Sequence, residues 1–171
     1  MTATNALAQQ AKGKVLVAYL TRSGNMRVIA KEISRALKAD LFEIRTAQPY
    51  PEDYFEMVAQ AERERVAGFE PPLAELVTNI ASYDTVYLGF PIWGQTAPSV
   101  IRSFLATHDL SGKTVIPFIT HGGYGLGSSL EVVAAHAPNA KLVEGLTMQA
   151  DQERHTVETV GAWLGGLKTG A

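Results

Sequence analysis

The sequence predicts an α/β fold of three layers: a five-stranded parallel sheet in the order 2-1-3-4-5 with helices on both faces. Two observations carry this expectation. The strand-like segments are near-continuous apolar runs rather than alternating ones, as strands buried on both faces are, and a helical pattern separates each run from the next. A third observation orients the sheet: hydroxyls, glycines and aromatic residues collect where the first, third and fourth runs end. In open sheets of this order, ligands bind outside the carboxyl ends of those strands.

Strand 1 is the run Val15-Leu16-Val17-Ala18-Tyr19-Leu20, which empties into Thr21-Arg22-Ser23-Gly24-Asn25-Met26-Arg27 and then into a helical pattern reaching Ile33. Leu41 to Ile44 is a short second strand, and Asp53 to Ala67 reads helical. Thr85 to Phe90 is apolar and β-prone, Ser99 to Thr107 helical, and Thr114 to Thr120 a fourth clear strand. Ser128 to Ala135 is a helix, Lys141 to Val143 a weak fifth strand, and Glu153 to Leu167 a closing helix. Residues 1–13 are small and polar with no apolar run and are expected to form a flexible arm, leaving 14–171 as a single domain. Ala6-Leu7-Ala8 has the form of a signal-cleavage triplet but lacks the charged and apolar regions that precede one. A cytoplasmic location is therefore expected, unless an upstream signal has been removed.

The junction after strand 1 has the chemistry of an anion site. The first N–H groups of a helix have no internal partner and lie at the positive end of its dipole, so a docked phosphate satisfies several donors at once. Ser23 supplies a hydroxyl and a helix cap, and Gly24 lets the backbone approach the ligand closely. A nucleoside-triphosphate loop would need a second glycine followed by lysine, and a dinucleotide fingerprint would need G-x-G-x-x-G. Neither is present. What stands here is hydroxyl, any residue, hydroxyl, Gly, Asn. By itself this segment is equally readable as a strand, a polar turn and a helix.

Composition narrows the function classes. At 171 residues the chain can bury a core without staples, and 46% hydrophobic with 19% charged residues is ordinary globular composition. A net charge of −2 leaves no basic footprint for nucleic acid, and no stretch approaches the roughly 20 apolar residues of a membrane span. With no cysteine, disulfides, thiol nucleophiles and zinc–cysteine sites are excluded.

The loops after strands 3 and 4 are equally unusual. One runs Gly89-Phe90-Pro91-Ile92-Trp93-Gly94-Gln95-Thr96-Ala97-Pro98, the other Thr120-His121-Gly122-Gly123-Tyr124-Gly125-Leu126-Gly127-Ser128-Ser129. Each frames an aromatic residue with glycines or prolines. Trp93 and Tyr124 either fold back to cover the core or flank a planar heterocycle whose edge bonds to glycine-rich backbone. The second reading accounts for both the aromatics and the glycines.

With these segments the chain resembles the flavodoxin family, and more narrowly a flavodoxin-like branch marked by Gln48-Pro49-Tyr50-Pro51-Glu52-Asp53-Tyr54, by Gly89-Phe90-Pro91-Ile92-Trp93 and by Leu110-Ser111-Gly112-Lys113. The resemblance implies an FMN cofactor. Its phosphate would lie among Thr21, Arg22, Ser23, Gly24, Asn25 and the Met26 amide. Its ring would lie between Pro91, Ile92, Trp93 and Gly94 on one side and Thr120, His121, Gly122, Gly123, Tyr124 and Gly125 on the other. Two positions depart from the family pattern. Met26 replaces a threonine, removing one hydroxyl contact worth about 0.5–1.5 kcal/mol. Gly94 stands where a second tryptophan is common, which leaves one ring face open to substrate.

The cofactor carries the redox chemistry, so no catalytic acid or base is required. His121 either faces the ring or bonds its own loop backbone, and Arg27 is a helix-surface residue or a phosphate contact. Neither Thr85–His108 nor Leu110–Leu130 contains an Asp or Glu, while Arg102, Lys113 and His121 are near in sequence. A neutral to slightly positive site favours two-electron reduction of a quinone or similar acceptor by an NAD(P)H-type donor over one-electron shuttling. The implied partners are a redox donor and acceptor, and a homodimer is compatible with the family. A hydrolase reading of His121-Gly122-Gly123 fails for want of a G-x-S-x-G elbow, and a phosphoacceptor receiver fails because Thr21 and Pro91 stand where acids are required. The alternative that stands is a binding module of the same fold that has lost FMN and acts through protein contacts, with Met26 and Gly94 in its favour.

Overall fold

The computed structural model describes residues 13–149 and 159–166. Its parallel sheet is built from β1 (Val15–Tyr19), β2 (Asp40–Glu43), β3 (Thr85–Pro91), β4 (Thr114–His121) and β5 (Lys141–Leu142), in the order β2-β1-β3-β4-β5. The expected order and the near-continuous apolar strands are both present: β1 is buried at every position and β3 at all but its last. The 1–13 arm lies almost wholly outside the described residues, as do 153–158 and 167 of the expected closing helix, of which residues 159–166 are helical.

Packing separates two apolar cores, one per sheet face. On one side Val15, Val17 and Tyr19 meet α1 (Asn25–Leu37) through Met26, Ile29 and Ile33, together with Val160 and Leu164. On the other, Leu16, Ala18 and Leu88 meet α3 (Ser99–Thr107) through Val100, Ile101 and Phe104, and α4 (Ser129–His136) through Val133. The alternation of neighbours along β1 between faces is the period-2 geometry of a strand. Helix α2 (Tyr54–Ala67), capped by the Asp53 carboxylate accepting from the Glu56 amide at 2.9 Å, behaves differently. It buries only Met57 and Glu64 and contributes to neither core, because it lies across the carboxyl ends of the strands.

The fifth strand departs from expectation. After Leu142 the ladder breaks, and a further strand, β6 (Leu146–Gln149), resumes parallel pairing with β4 from Phe118 to His121. The break faces Pro117. The Val115 carbonyl accepts the Val143 amide at 3.1 Å, but two residues on, Pro117 has no N–H to offer the same edge. Gly145 fits there because a Cβ would stand 1.7 Å from the Pro117 carbonyl oxygen.

Register then brings the loops together. Tyr19 lies beside Gly89, and Gly89 beside Phe118, so β1, β3 and β4 end side by side and all point the same way.

Candidate functional site

The three strand ends open into a cleft of about 490 Å³, within the range of cofactor sites. Its floor is the loop after β1. The Gly24 amide donates to the Thr21 hydroxyl at 3.0 Å, which closes a tight turn, and Gly24 takes the N-cap of α1 at φ 95°. Among the described residues no side chain caps this helix, and no acid occupies its first turn, so its leading amides are left for a ligand. Asn25 adds to them: its side-chain amide nitrogen is buried and without a partner among the described residues. A buried donor left unpaired costs about 1–3 kcal/mol, which a bound anion would recover. Met26 is a core residue of the α1 face, 2% exposed, which explains an apolar side chain at a position whose amide alone is wanted by the loop.

Arg27 is not free to reach an anion. Its guanidinium donates twice to Glu43 Oε1, at 3.2 and 2.9 Å, while Tyr19 Oη donates to the same oxygen and Arg45 pairs with Oε2 at 2.8 Å. Burial pushes the Glu43 carboxyl up, but the bonds from Arg27 and Tyr19 and the charges of Arg27 and Arg45 outweigh it, leaving the carboxyl below its ordinary 4.5. A carboxyl more acidic in the folded chain than in the unfolded one contributes stability that is present above the unfolded value and is lost as pH falls through the folded one. Glu43→Gln is therefore expected to cost about 1–2 kcal/mol at neutral pH. That deficit should shrink in urea unfolding as the pH is taken below 4.5, where the native carboxyl protonates as well.

Arg22 stays at the cleft, one guanidinium nitrogen donating to the Glu52 carbonyl at 3.2 Å and the group lying 5.3 Å from the centre of the Tyr54 ring. Beyond it lies a second cavity of about 420 Å³, which shares Thr21, Arg22 and Trp93 with the first. Trp93 is thus the aromatic member of the wall between the two, with Thr21 and Arg22. Tyr50 braces it edge-on at 5.3 Å and donates its hydroxyl to the buried carboxylate of Glu64. Burial, then that bond, pushes the Tyr50 phenol well up, so it stays a donor.

After β3 the chain makes a two-residue hairpin. The Trp93 amide donates to the Thr96 carbonyl at 3.1 Å, and Gly94 and Gln95 both have positive φ, 62° and 64°. This is the I′ geometry that favours glycine. The position that the family resemblance left empty is filled from elsewhere: Arg65 of α2 donates to the Gly94 carbonyl at 2.9 Å. The hairpin is also locked to the loop after β4, for Ser128 donates its amide to the Gln95 carbonyl at 3.0 Å and its hydroxyl to Thr96 Oγ1 at 2.9 Å.

Along that second loop, Thr120, His121 and Gly122 line the cleft. His121 Nδ1 accepts the amides of Gly123 and Gly125, at 3.0 and 3.3 Å, so the ring carries its proton on Nε2 while it pins its own loop. Gly123, Tyr124 and Gly125 lie outside the lining, and Tyr124 is 91% exposed. Of the remaining expected residues, Thr21 to Ser23, Asn25, Met26 and Pro91 to Gly94 reach the cleft, while Gly24 caps α1 and lies outside the lining. Sequence reading missed the α2 wall, where Tyr54, Met57, Val58, Ala61 and Arg65 face inward with Glu62. Their helical spacing was the available signal.

The flavodoxin family model matches residues 14–166. The chain belongs to the flavodoxin family. Among solved structures, this flavodoxin-family chain is 32% identical to a candidate flavoprotein from Bacteroides eggerthii DSM 20697, over 91% of its own length and 98% of the other, at a TM-score of 0.76. The oxidised flavodoxin 2 of Bacillus cereus is 24% identical over 91% and 98%, with a TM-score of 0.55. A Lactobacillus acidophilus NCFM flavoprotein solved in complex with FMN is 18% identical over 85% and 99%, with a TM-score of 0.71. The last two share the fold. No curated protein sequence matches. Among the described residues, no helix is long and apolar enough to cross a membrane, and no group of side chains is arranged to hold a metal.

Proposed function

We propose that the cleft holds FMN and that the protein catalyses two-electron reduction of a quinone or similar acceptor. One observation carries the cofactor: unpaired anion donors and an aromatic wall residue stand at adjacent strand ends of one cleft. The residues fit the group. The first-turn amides of α1 and the Asn25 side-chain amide would take the phosphate, with Thr21 and Ser23 beside them. Pro91, Ile92 and Trp93 would border the ring, with Thr120, His121 and Gly122 opposite. Family membership and the FMN complex of the Lactobacillus relative support this reading.

Bound FMN supplies hydride and electron transfer. In the net reaction a reduced nicotinamide gives a hydride, two electrons and one proton. The acceptor takes those and a second proton from solvent to become a quinol. The charges around the cleft favour this over a one-electron shuttle: among the described residues, Arg22 and Arg65 line it against the single carboxylate of Glu62. The cytoplasm, where reduced nicotinamide is abundant, suits the activity, and a homodimer would be compatible with it.

Added FMN is expected to lose its fluorescence on binding at micromolar concentration. Potentiometric titration of the complex is expected to show one two-electron wave, with turnover of a soluble quinone by NADH or NADPH. Two resolved one-electron waves without quinone turnover would make it an electron carrier. No quenching by the folded protein would favour the FMN-less binding module.

A further inference from the structure

We infer that Arg65 sets the reduction potential of the cofactor, acting as a cation that this chain places where a side chain at position 94 would otherwise stand. The inference rests on FMN occupying the cleft. Glycine and arginine are a matched pair: a Cβ on Gly94 would stand 1.7 Å from Arg65 Nη1, so any side chain there expels the guanidinium. One N–H of Arg65 is spent on the Gly94 carbonyl, which fixes the group against the hairpin that carries Trp93. Among the described residues it forms no ion pair, and Glu62 is the one carboxylate among them that lines the cleft with it, against the two guanidinium groups of Arg22 and Arg65. Arg22, the other cation of the wall, is held instead at the phosphate loop by Glu52 and Tyr54.

The sign of the effect follows from charge. At neutral pH the ring takes up two electrons and one proton, so its reduced form carries one more negative charge than its oxidised form. A fixed guanidinium in the ring wall stabilises the reduced form more and raises the potential. Arg65 is a positioning residue for the hairpin through its bond to Gly94, and an electrostatic one for the ring.

The test compares the wild type with Arg65→Met, Arg65→Lys and Gly94→Asn, the last chosen because Asn tolerates positive φ. Each is loaded with FMN, and its affinity for the oxidised cofactor and its two-electron midpoint are measured. Arg65→Met is expected to lose about tenfold in preference for reduced over oxidised FMN, a fall of about 30 mV in midpoint. Arg65→Lys should recover most of that fall. Gly94→Asn should reproduce it and add nothing when combined with Arg65→Met, as residues acting through one contact do. An unchanged midpoint in Arg65→Met, with FMN bound as tightly as before, overturns the inference and leaves the cofactor reading standing. A folded wild type that binds no FMN overturns both.

Discussion

Ser23→Asp is expected to remove FMN from this protein while leaving riboflavin untouched. Ser23 lies between Thr21 and the uncapped start of α1, in a turn that has no acid in its first helical positions and a buried, unpartnered amide on Asn25. A carboxylate introduced there meets the phosphate charge directly and also competes for the same amides. At an effective dielectric suited to a protein surface, two like charges several ångströms apart repel by about 2–4 kcal/mol, which is a loss of roughly 30- to 1000-fold in affinity. Riboflavin has the same ring and no phosphate, so its affinity serves as the internal control. Fluorescence quenching titrations with both ligands decide the matter. Equal losses for the two would mean that the loop had been distorted, and no loss for either would place the phosphate elsewhere.

Gly127→Ala is expected to damage fold and site together. Gly127 has φ 54°, and a Cβ there would stand 1.8 Å from the carbonyl oxygen of Gln95, a backbone atom that cannot swing aside. That carbonyl also accepts the Ser128 amide, so the added methyl strikes the bond that ties the loops after β3 and β4. Left-handed backbone costs an alanine about 1–2 kcal/mol and overpacking about 1–3 more, which together consume a large share of a domain's stability of about 5–15 kcal/mol. Urea unfolding should show the loss of stability. FMN affinity at low denaturant should fall as well, because the hairpin bearing Trp93 is released. A neutral result in both measurements would show that the loops are not coupled in solution.

Most of the fold was legible because the strands bury both faces. A run such as Val15 to Leu20 cannot be solvated on either side, so it demands helices above and below it, and the order of elements follows. The fifth strand was the exception. Leu146 to Gln149 contains polar and apolar residues in nearly equal measure, and its pairing depends on Pro117, a residue far from it in sequence. The site divides in the same way. The loop proposed for the phosphate could be read locally, since turn, hydroxyls and helix start are contiguous. The roles of Arg27 and Arg65 could not. Glu43 on β2 claims the first, and the Gly94 carbonyl claims the second.

By itself the sequence determined the layered sheet, the strand ends that meet, and the chemistry gathered in the loop from Thr21 to Arg27, because these depend on residue type and near-neighbour spacing. Tertiary structure alone decided what encloses the cleft beyond that loop. Tyr124, framed by glycines, stands exposed while His121 pins its loop, and α2 supplies the wall with Arg65 against Gly94. The physical reason is reach: hydrogen bonds and charge pairs between distant segments depend on where whole elements pack, which no local pattern encodes.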